Sequence, residues 1–349
     1  MKIGKYDIKI ERLDKKVLDE TQKRLDNLTK PLGSLGRLEE IAKQVVAITG
    51  MKNPQLKNKV IITMAGDHGV VEEGVSAYPK EVTPQMVYNF LKGGAGINVL
   101  ARHVGAKVMV VDMGVAVDLD KHPSLIAKKI NYGTKNISKG PAMTEKEAVA
   151  AVEAGIDMVL NEDNIDIVGT GDMGIGNTTP SSAITAVFTR QKVEVVTGRG
   201  TGIDDKIFKN KIKVIEKAIK INKPDHKDGL DVLQKLGGFE IGGLAGVILG
   251  GAMRRIPVVI DGFISTAAAL VAVNIEPKAR EYLMSSHKSV ERGHRVALAY
   301  LSLKPILDLD LRLGEGTGAA LSMNIIDAAV KILNEMATFD SANISKKNI

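Results

Sequence analysis

The chain has 349 residues, 44% hydrophobic and 26% charged, enough for one large core with an accessory layer or for roughly two domains. It contains no Cys, which excludes disulfides, thiolate metal sites and cysteine nucleophiles. The formal charge of +7 invites a nucleic-acid reading, but only 3% of residues are aromatic, Trp is absent and the lysines are scattered, so a solvated basic surface is the reading adopted.

The N-terminal stretch "MKIGKYDIKIERLDKK" has no apolar signal-peptide core, and the most apolar stretch, "GGLAGVILGGAMRRIPVVIDGF", is broken by Arg254, Arg255 and Pro257. No membrane span is expected, and a cytoplasmic location is. From Asp14 to Leu28, Val17, Leu18, Leu25 and Leu28 recur at helical spacing. A second helical run follows "TKPLGSLGRLEE", through Ile41, Val45, Val46 and Ile48. Both helices are read as an accessory layer that precedes any strand.

From residue 59 the texture changes. "KVIITMAGDHG", "AKVMVVDMG", "IDIVGTGDMG", "VEVVTGRG" and "IPVVIDGF" each read as an apolar strand ending in Gly and, in four of the five, Asp. Continuous apolar strands separated by helices predict an α/β fold, a parallel sheet with helices on both faces. Ligands then bind outside the carboxyl ends of the strands, where the Gly loops converge. The last hundred residues read as mostly helical. The C-terminal helix has no evident strand partner, so both chain ends are expected to pack together as a small helical domain. The division is residues 1–57, 58–303 and 304–349.

At the sheet edge, "AGDHGVVEEGVSAYPKEVTPQMV" carries Asp67 and His68, with no second metal ligand at i, i+4; no metal site is expected. Gln85, Met86 and Tyr88 suit either an apolar pocket or the core. "GTGDMGIGNTTPSSAI" holds Gly169, Gly171 and Gly174 in the dinucleotide spacing G-x-G-x-x-G, with Glu194 20 residues beyond. The helix, however, starts late, near Thr178 with Pro180 in its first turn, and Glu194 begins a strand rather than ending one. The surviving inference is a Gly turn with Asn177, Thr178 and Thr179 at a helix N-terminus, suited to a phosphate or a ribose, or else a tight connection. "TGRGTGIDD" repeats that pattern around Gly202, with Asp205 read as a helix cap. Lys211 and Lys213 follow, solvated by default unless the Gly turn brings a phosphate to one of them. No G-x-S-x-G elbow is found. In "LRLGEGTGAALS", Glu315 stands between two glycines, as a surface carboxylate would or as a base needing clearance would.

Seven ordered motifs, "KPLGSLGRLE", "AGDHGV", "GDMGIGNTTP", "DGLDVLQKLGGFEIGGLAGVILGGA", "PVVIDGFISTAAAL", "SHKSVERG" and "LRLGEGTGAAL", resemble the nicotinate-nucleotide:dimethylbenzimidazole phosphoribosyltransferase family from about residue 14 to residue 335. The resemblance implies a Rossmann-like parallel domain plus a small helical domain from both chain ends, a homodimer, no cofactor, and a step of vitamin B12 assembly. In that step the phosphoribosyl group of nicotinate mononucleotide passes to 5,6-dimethylbenzimidazole. It implies Glu315 as general base. It puts Gly174, Lys211 and Ser289 at the phosphate, Asp172 near the ribose, and Glu240 at an acidic site position. Tyr78, Gln85 and Met86 fall in the segment that holds the incoming base. Asn177, Gly202 and Leu313 complete the substrate-binding set. Two other readings remain at this point: a catalytically silent nucleotide or corrinoid-precursor binder, and a dinucleotide oxidoreductase resting on the glycine spacing alone.

Overall fold

The computed structural model describes residues 2–200 and 202–345. A two-residue-per-strand hairpin, β1 (Lys2–Ile3) and β2 (Tyr6–Asp7), comes first. The expected opening helices therefore do not precede every strand. They follow as α1 (Lys15–Asp26) and α2 (Arg37–Thr49). Asp14 starts α1 by accepting the Lys16 N–H, and Gly50, in the left-handed region, ends α2.

The central strands are β3 (Lys59–Gly66), β4 (Ala106–Gly114), β5 (Leu125–Ala127), β6 (Ile167–Met173), β7 (Val258–Ile260) and β8 (Leu283–Ser285). They form one parallel sheet in the order β5-β4-β3-β6-β7-β8. Alternation distributes the side chains to two cores. Val60, Ile62 and Met64 of β3 enter one core, and Ile61 and Ala65 enter the other. Val168 and Ile167 of β6 divide the same way, as do Val258 and Val259 of β7.

The helices between strands are α3 (Val82–Leu91), α4 (Gly96–Val104), α5 (Glu145–Leu160), α6 (Thr178–Thr189), α7 (Val193–Val196), α8 (Asp205–Asn222), α9 (Gly229–Leu236) and α10 (Phe239–Met253). After β7 come α11 (Phe263–Ile275), α12 (Arg292–Tyr300) and α13 (Thr317–Glu335). Residues Phe239–Ala252 of α10 are all buried, so the most apolar stretch is a core helix enclosed on every side. It lies close to α5: a Cβ on Gly155 would fall 1.8 Å from the Gly243 carbonyl oxygen. Among the described residues no helix is long and apolar enough to cross a membrane.

"VEVV" is the helix α7, not a strand. Val193 and Val196 are buried while Glu194 and Val195 are exposed, a spacing of three that an alternating strand cannot give. Besides the β1–β2 hairpin, two strands of the central sheet escape the sequence pattern, β5 and β8, each only three residues long. α13 does have strand partners. It shares a core with α1, α2 and one sheet face, where Met323 lies against Gly169. The cap of α8 is Asp204, which accepts the Ile207 N–H at 2.8 Å, with Asp205 already in the helix.

Candidate active site

Four of the parallel strands deliver a polar residue to one sheet edge where they end. Asp67 and His68 follow β3, Asp172 is the penultimate residue of β6, Asp261 follows β7, and Ser286 and His287 follow β8. A cavity of about 380 Å³ opens at this edge, lined by Asp172, Gly174, Asn177, Thr178, Gly200, His287, Ser289, Glu291, Arg312 and Glu315 on its polar side. Tyr78, Val82, Met86, Met173, Phe263, Ile264 and Leu313 make its apolar side.

Glu315 belongs to a turn unusual for its backbone. Gly314, Glu315 and Gly316 have φ of 84°, 64° and 98°, all in the left-handed region. That costs a side-chain-bearing residue about 1 kcal/mol or more, so the surroundings must hold it. The Glu315 N–H donates to the Asp172 carbonyl at 3.2 Å, and its carbonyl accepts the Thr63 hydroxyl at 2.9 Å. The carboxylate is only 4% exposed, and Oε2 accepts the Ile97 N–H at 3.0 Å in the first turn of α4. Burial raises the proton affinity of Glu315, and the Ile97 N–H at the positive end of a helix opposes it. The solvated-surface reading of this carboxylate is excluded.

The surrounding carboxylates are buried too. Asp172 is held well above the usual carboxylate range, first by burial and then by the charges of Asp261 and Glu240. Its Oδ2 accepts from Asn177 Nδ2 at 2.9 Å, while Oδ1 has no partner among the described residues. Burial raises Asp261 to about 7 against the pull of backbone N–H groups from Ala319, Gly316 and Gly318. Burial drives His287 the other way, to about 4, so this cavity-lining imidazole is neutral near pH 7.

The opposite corner brings a buried lysine to a helix N-terminus. The Gly174 turn leads into the N-terminus of α6, where Thr178 Oγ1 accepts from Lys211 Nζ at 2.6 Å. Lys211 is 1% exposed, and burial lowers its ammonium to about 8 while Glu291 opposes that shift. Gly200 donates its N–H to Glu291 Oε1 at 2.9 Å, and Ser289 Oγ accepts the Glu291 N–H at 3.3 Å. Ser289 itself is fixed by its N–H on His294 Nδ1 at 3.0 Å.

Of the residues the sequence pointed to, Tyr78, Met86, Asp172, Gly174, Asn177, Ser289, Leu313 and Glu315 line the cavity. Lys211 stands directly behind Thr178. Three lie elsewhere. Gln85 is exposed on α3, Gly202 is exposed with Gly200 facing the cavity instead, and Glu240 is fully buried on His68 Nε2 at 2.7 Å. Sequence reasoning missed Asp261, His287, Glu291, Arg312 and the Ile97 N–H. The repeated strand-end Asp-Gly signal covers Asp261, and His287, Glu291 and Arg312 lie in the motifs "SHKSVERG" and "LRLGEGTGAAL" without being singled out there; the Ile97 N–H has no local signature.

The dinucleotide spacing has a different origin. Gly169 and Gly171 lie inside β6, not in its turn. A Cβ on Gly171 would sit 2.2 Å from the Glu315 carbonyl oxygen, and one on Gly169 would sit 2.5 Å from Ile61 Cδ1. Those glycines make room for the Glu315 turn and the packing beneath it. Glu194, on α7, is remote from the role of a ribose-binding acid at a strand end.

A phosphoribosyltransferase family model matches residues 10–344. The nicotinate-nucleotide–dimethylbenzimidazole phosphoribosyltransferase of Geobacter sulfurreducens is 59% identical over 340 residues, 97% of both chains. The enzyme of the same name from Geotalea uraniireducens is 57% identical, again over 97% of both. The crystal structure of the Thermus thermophilus enzyme of that name superposes with a TM-score of 0.91 at 42% identity, covering 96% of this chain and 100% of its own. A single ordered match across nearly the whole length, with a shared fold, identifies a pentosyl-transferring enzyme. The chain belongs to the nicotinate-nucleotide–dimethylbenzimidazole phosphoribosyltransferase family.

Proposed function

We propose that this enzyme transfers the phosphoribosyl group of nicotinate mononucleotide to 5,6-dimethylbenzimidazole or a related lower-ligand base, giving nicotinate and α-ribazole 5′-phosphate in cobalamin nucleotide-loop assembly. The carrying observation is Glu315: a buried carboxylate on the cavity wall, one oxygen engaged by Ile97, with an apolar wall and an anion corner in the same hollow. A benzimidazole nitrogen attacks the anomeric carbon as the bond from that carbon to the pyridinium nitrogen breaks. The bonding pair leaves with nicotinate, which neutralises the pyridinium without an acid. Attack from the opposite face turns the β-nucleotide into an α-product. The proton on the second benzimidazole nitrogen goes to Glu315, a general-base contribution of about 10²–10⁴-fold. A Glu titrating near ~4.3 in water is a weak base; burial makes this one stronger.

In this reading Gly174, Thr178 and Lys211 receive the phosphate with Ser289, and Asp172 with Asn177 faces the ribose. Tyr78, Met86 and Leu313 sandwich the flat base. The same reading places the enzyme in the cytoplasm as a homodimer, the second point open to light scattering on the purified chain. The test is incubation of that chain with nicotinate mononucleotide and a panel of bases, with products identified by mass. Ribazole phosphate and stoichiometric nicotinate are expected. No nicotinate release with any benzimidazole, purine or phenol overturns the proposal.

A further inference from the structure

Asp261 touches no substrate group in the reaction just described, yet it is fully buried and both of its oxygens are committed. Oδ1 accepts the N–H groups of Gly318 at 2.7 Å and Ala319 at 3.1 Å. Oδ2 accepts the N–H of Gly316 at 3.3 Å. A helix N-terminus is ordinarily capped by the side chain of the residue just before it. Here that residue is Gly316, which has none, and the cap arrives from the end of β7. The neighbourhood enforces the arrangement. A Cβ on Gly318 would lie 2.0 Å from His287 Nδ1 and 2.9 Å from Asp261 Oδ1.

The two oxygens do different work. The Oδ1 bonds lie inside the first turn of α13 and belong to the helix. The Oδ2 bond falls on the residue immediately after Glu315, inside the left-handed triplet that aims the carboxylate. The other ties on Glu315 come from Asp172, Thr63 and Ile97, and on its C-terminal side the turn is held by Gly316 on Asp261 together with Thr317, whose N–H and hydroxyl both donate to the Gly314 carbonyl. We infer that Asp261 is a positioning residue for the reaction, its Oδ2 holding Gly316 so that the Glu315 carboxylate keeps its place on the cavity wall. The inference rests on the proposed function, in which Glu315 is the base.

Assayed at pH 8, where Asp261 is ionised and both oxygens accept, Asp261→Asn separates the two tasks. The amide oxygen keeps the cap on Gly318 and Ala319, while the amide NH₂ faces the Gly316 N–H, donor against donor. The expected result is a 10- to 100-fold lower kcat, KM for nicotinate mononucleotide within about twofold, and a melting temperature within a few degrees of the parent. The anion corner stands on other elements, which is why KM holds. The deciding measurement is a double-mutant cycle with Glu315→Gln. If Asp261 acts through Glu315, Asp261→Asn costs little further once Glu315 is gone. Equal losses in both backgrounds, or a kcat within twofold of the parent, overturn the inference. Should Asp261→Asn not fold, Asp261→Ser, which retains one acceptor, is read in the same cycle. A parent enzyme that releases no nicotinate overturns the functional reading and this inference together; an active parent with an additive cycle overturns this inference alone.

Discussion

The two ends of the central sheet treat charge in opposite ways. At the amino end, Lys59 pairs with Asp327 at 3.0 Å, and Arg254 donates to the carbonyls of Val159, Glu162 and Asp163. At the carboxyl end, Asp67, Asp172, Glu240, Asp261 and Glu315 are all buried, and Asp67 Oδ1, Asp172 Oδ1 and Glu240 Oε2 have no hydrogen-bond partner among the described residues. The amino end also holds the larger hollow, about 680 Å³ against about 380 Å³. Size therefore does not mark the chemistry. Buried groups with displaced proton affinities and open valences do, and they are tolerated because the rest of the fold supports them.

The contrast breaks hardest at Glu315. Glu315→Gln should keep nucleotide binding and lower kcat by about 10²–10⁴-fold, as read by single-turnover kinetics. Unchanged turnover removes Glu315 from the mechanism. Lys211→Met comes next. It keeps the buried volume and removes a charge-assisted contact of about 1.5–3 kcal/mol, so KM for the nucleotide should rise roughly 10- to 100-fold with a smaller change in kcat. A KM within twofold would place the phosphate elsewhere.

Stability against pH sharpens the comparison in a narrower way. Asp261, raised to about 7, and Asp172, held well above the usual carboxylate range, keep protons in the folded chain that the unfolded chain has already released. Folded stability contributed by those protons is therefore lost as pH rises through the folded values. Below about 6.5 the buried neutral His287 and His294 act in the opposite direction, because the unfolded imidazoles take up protons there. Above about 8, Lys211 does the same. From pH 6.5 upward Asp261 acts without that opposition until it has ionised just above 7, and stability should fall by roughly 0.5–1 kcal/mol across that step, visible in denaturant midpoints. A flat or rising curve in that window would show that Asp261 is ionised throughout.

The smallest effect belongs to the amino end. Lys331→Met, which removes the exposed partner of Asp327, should cost about 0.3–1 kcal/mol and leave kcat and KM unchanged, checked by urea unfolding beside a standard assay. A changed kcat would mean the two ends are coupled.

Much of the fold was legible because it is local. The continuous apolar run in "KVIITMAG" and the Asp-Gly strand ends announce a parallel sheet and the edge where ligands bind. "VEVV" misled because β-branched composition suits a strand, while its burial spacing, set by tertiary packing, makes a helical turn. Of the site, Gly174 and Glu315 were legible, the latter through family resemblance. Residues tied over long sequence distances were not. Asp261 capping α13, and Ile97 facing Glu315, are contacts across 57 and 218 positions that no window of sequence contains. Gly169 and Gly171 misled for the same reason, since their glycine character answers to α13 and its leading turn.

The N–H that faces the Glu315 carboxylate carries one more consequence. It sits on α4, four residues, 92–95, after the end of α3, and Asn98 Nδ2 binds the Phe90 carbonyl at 3.1 Å across that joint. Val82 and Met86, on the apolar wall, belong to α3. The apolar wall and the N–H that faces Glu315 are thus joined by a connection of only four residues. Under the proposed reaction, substitutions at Val82 or Met86 are expected to alter the pH dependence of kcat as well as the preference among bases.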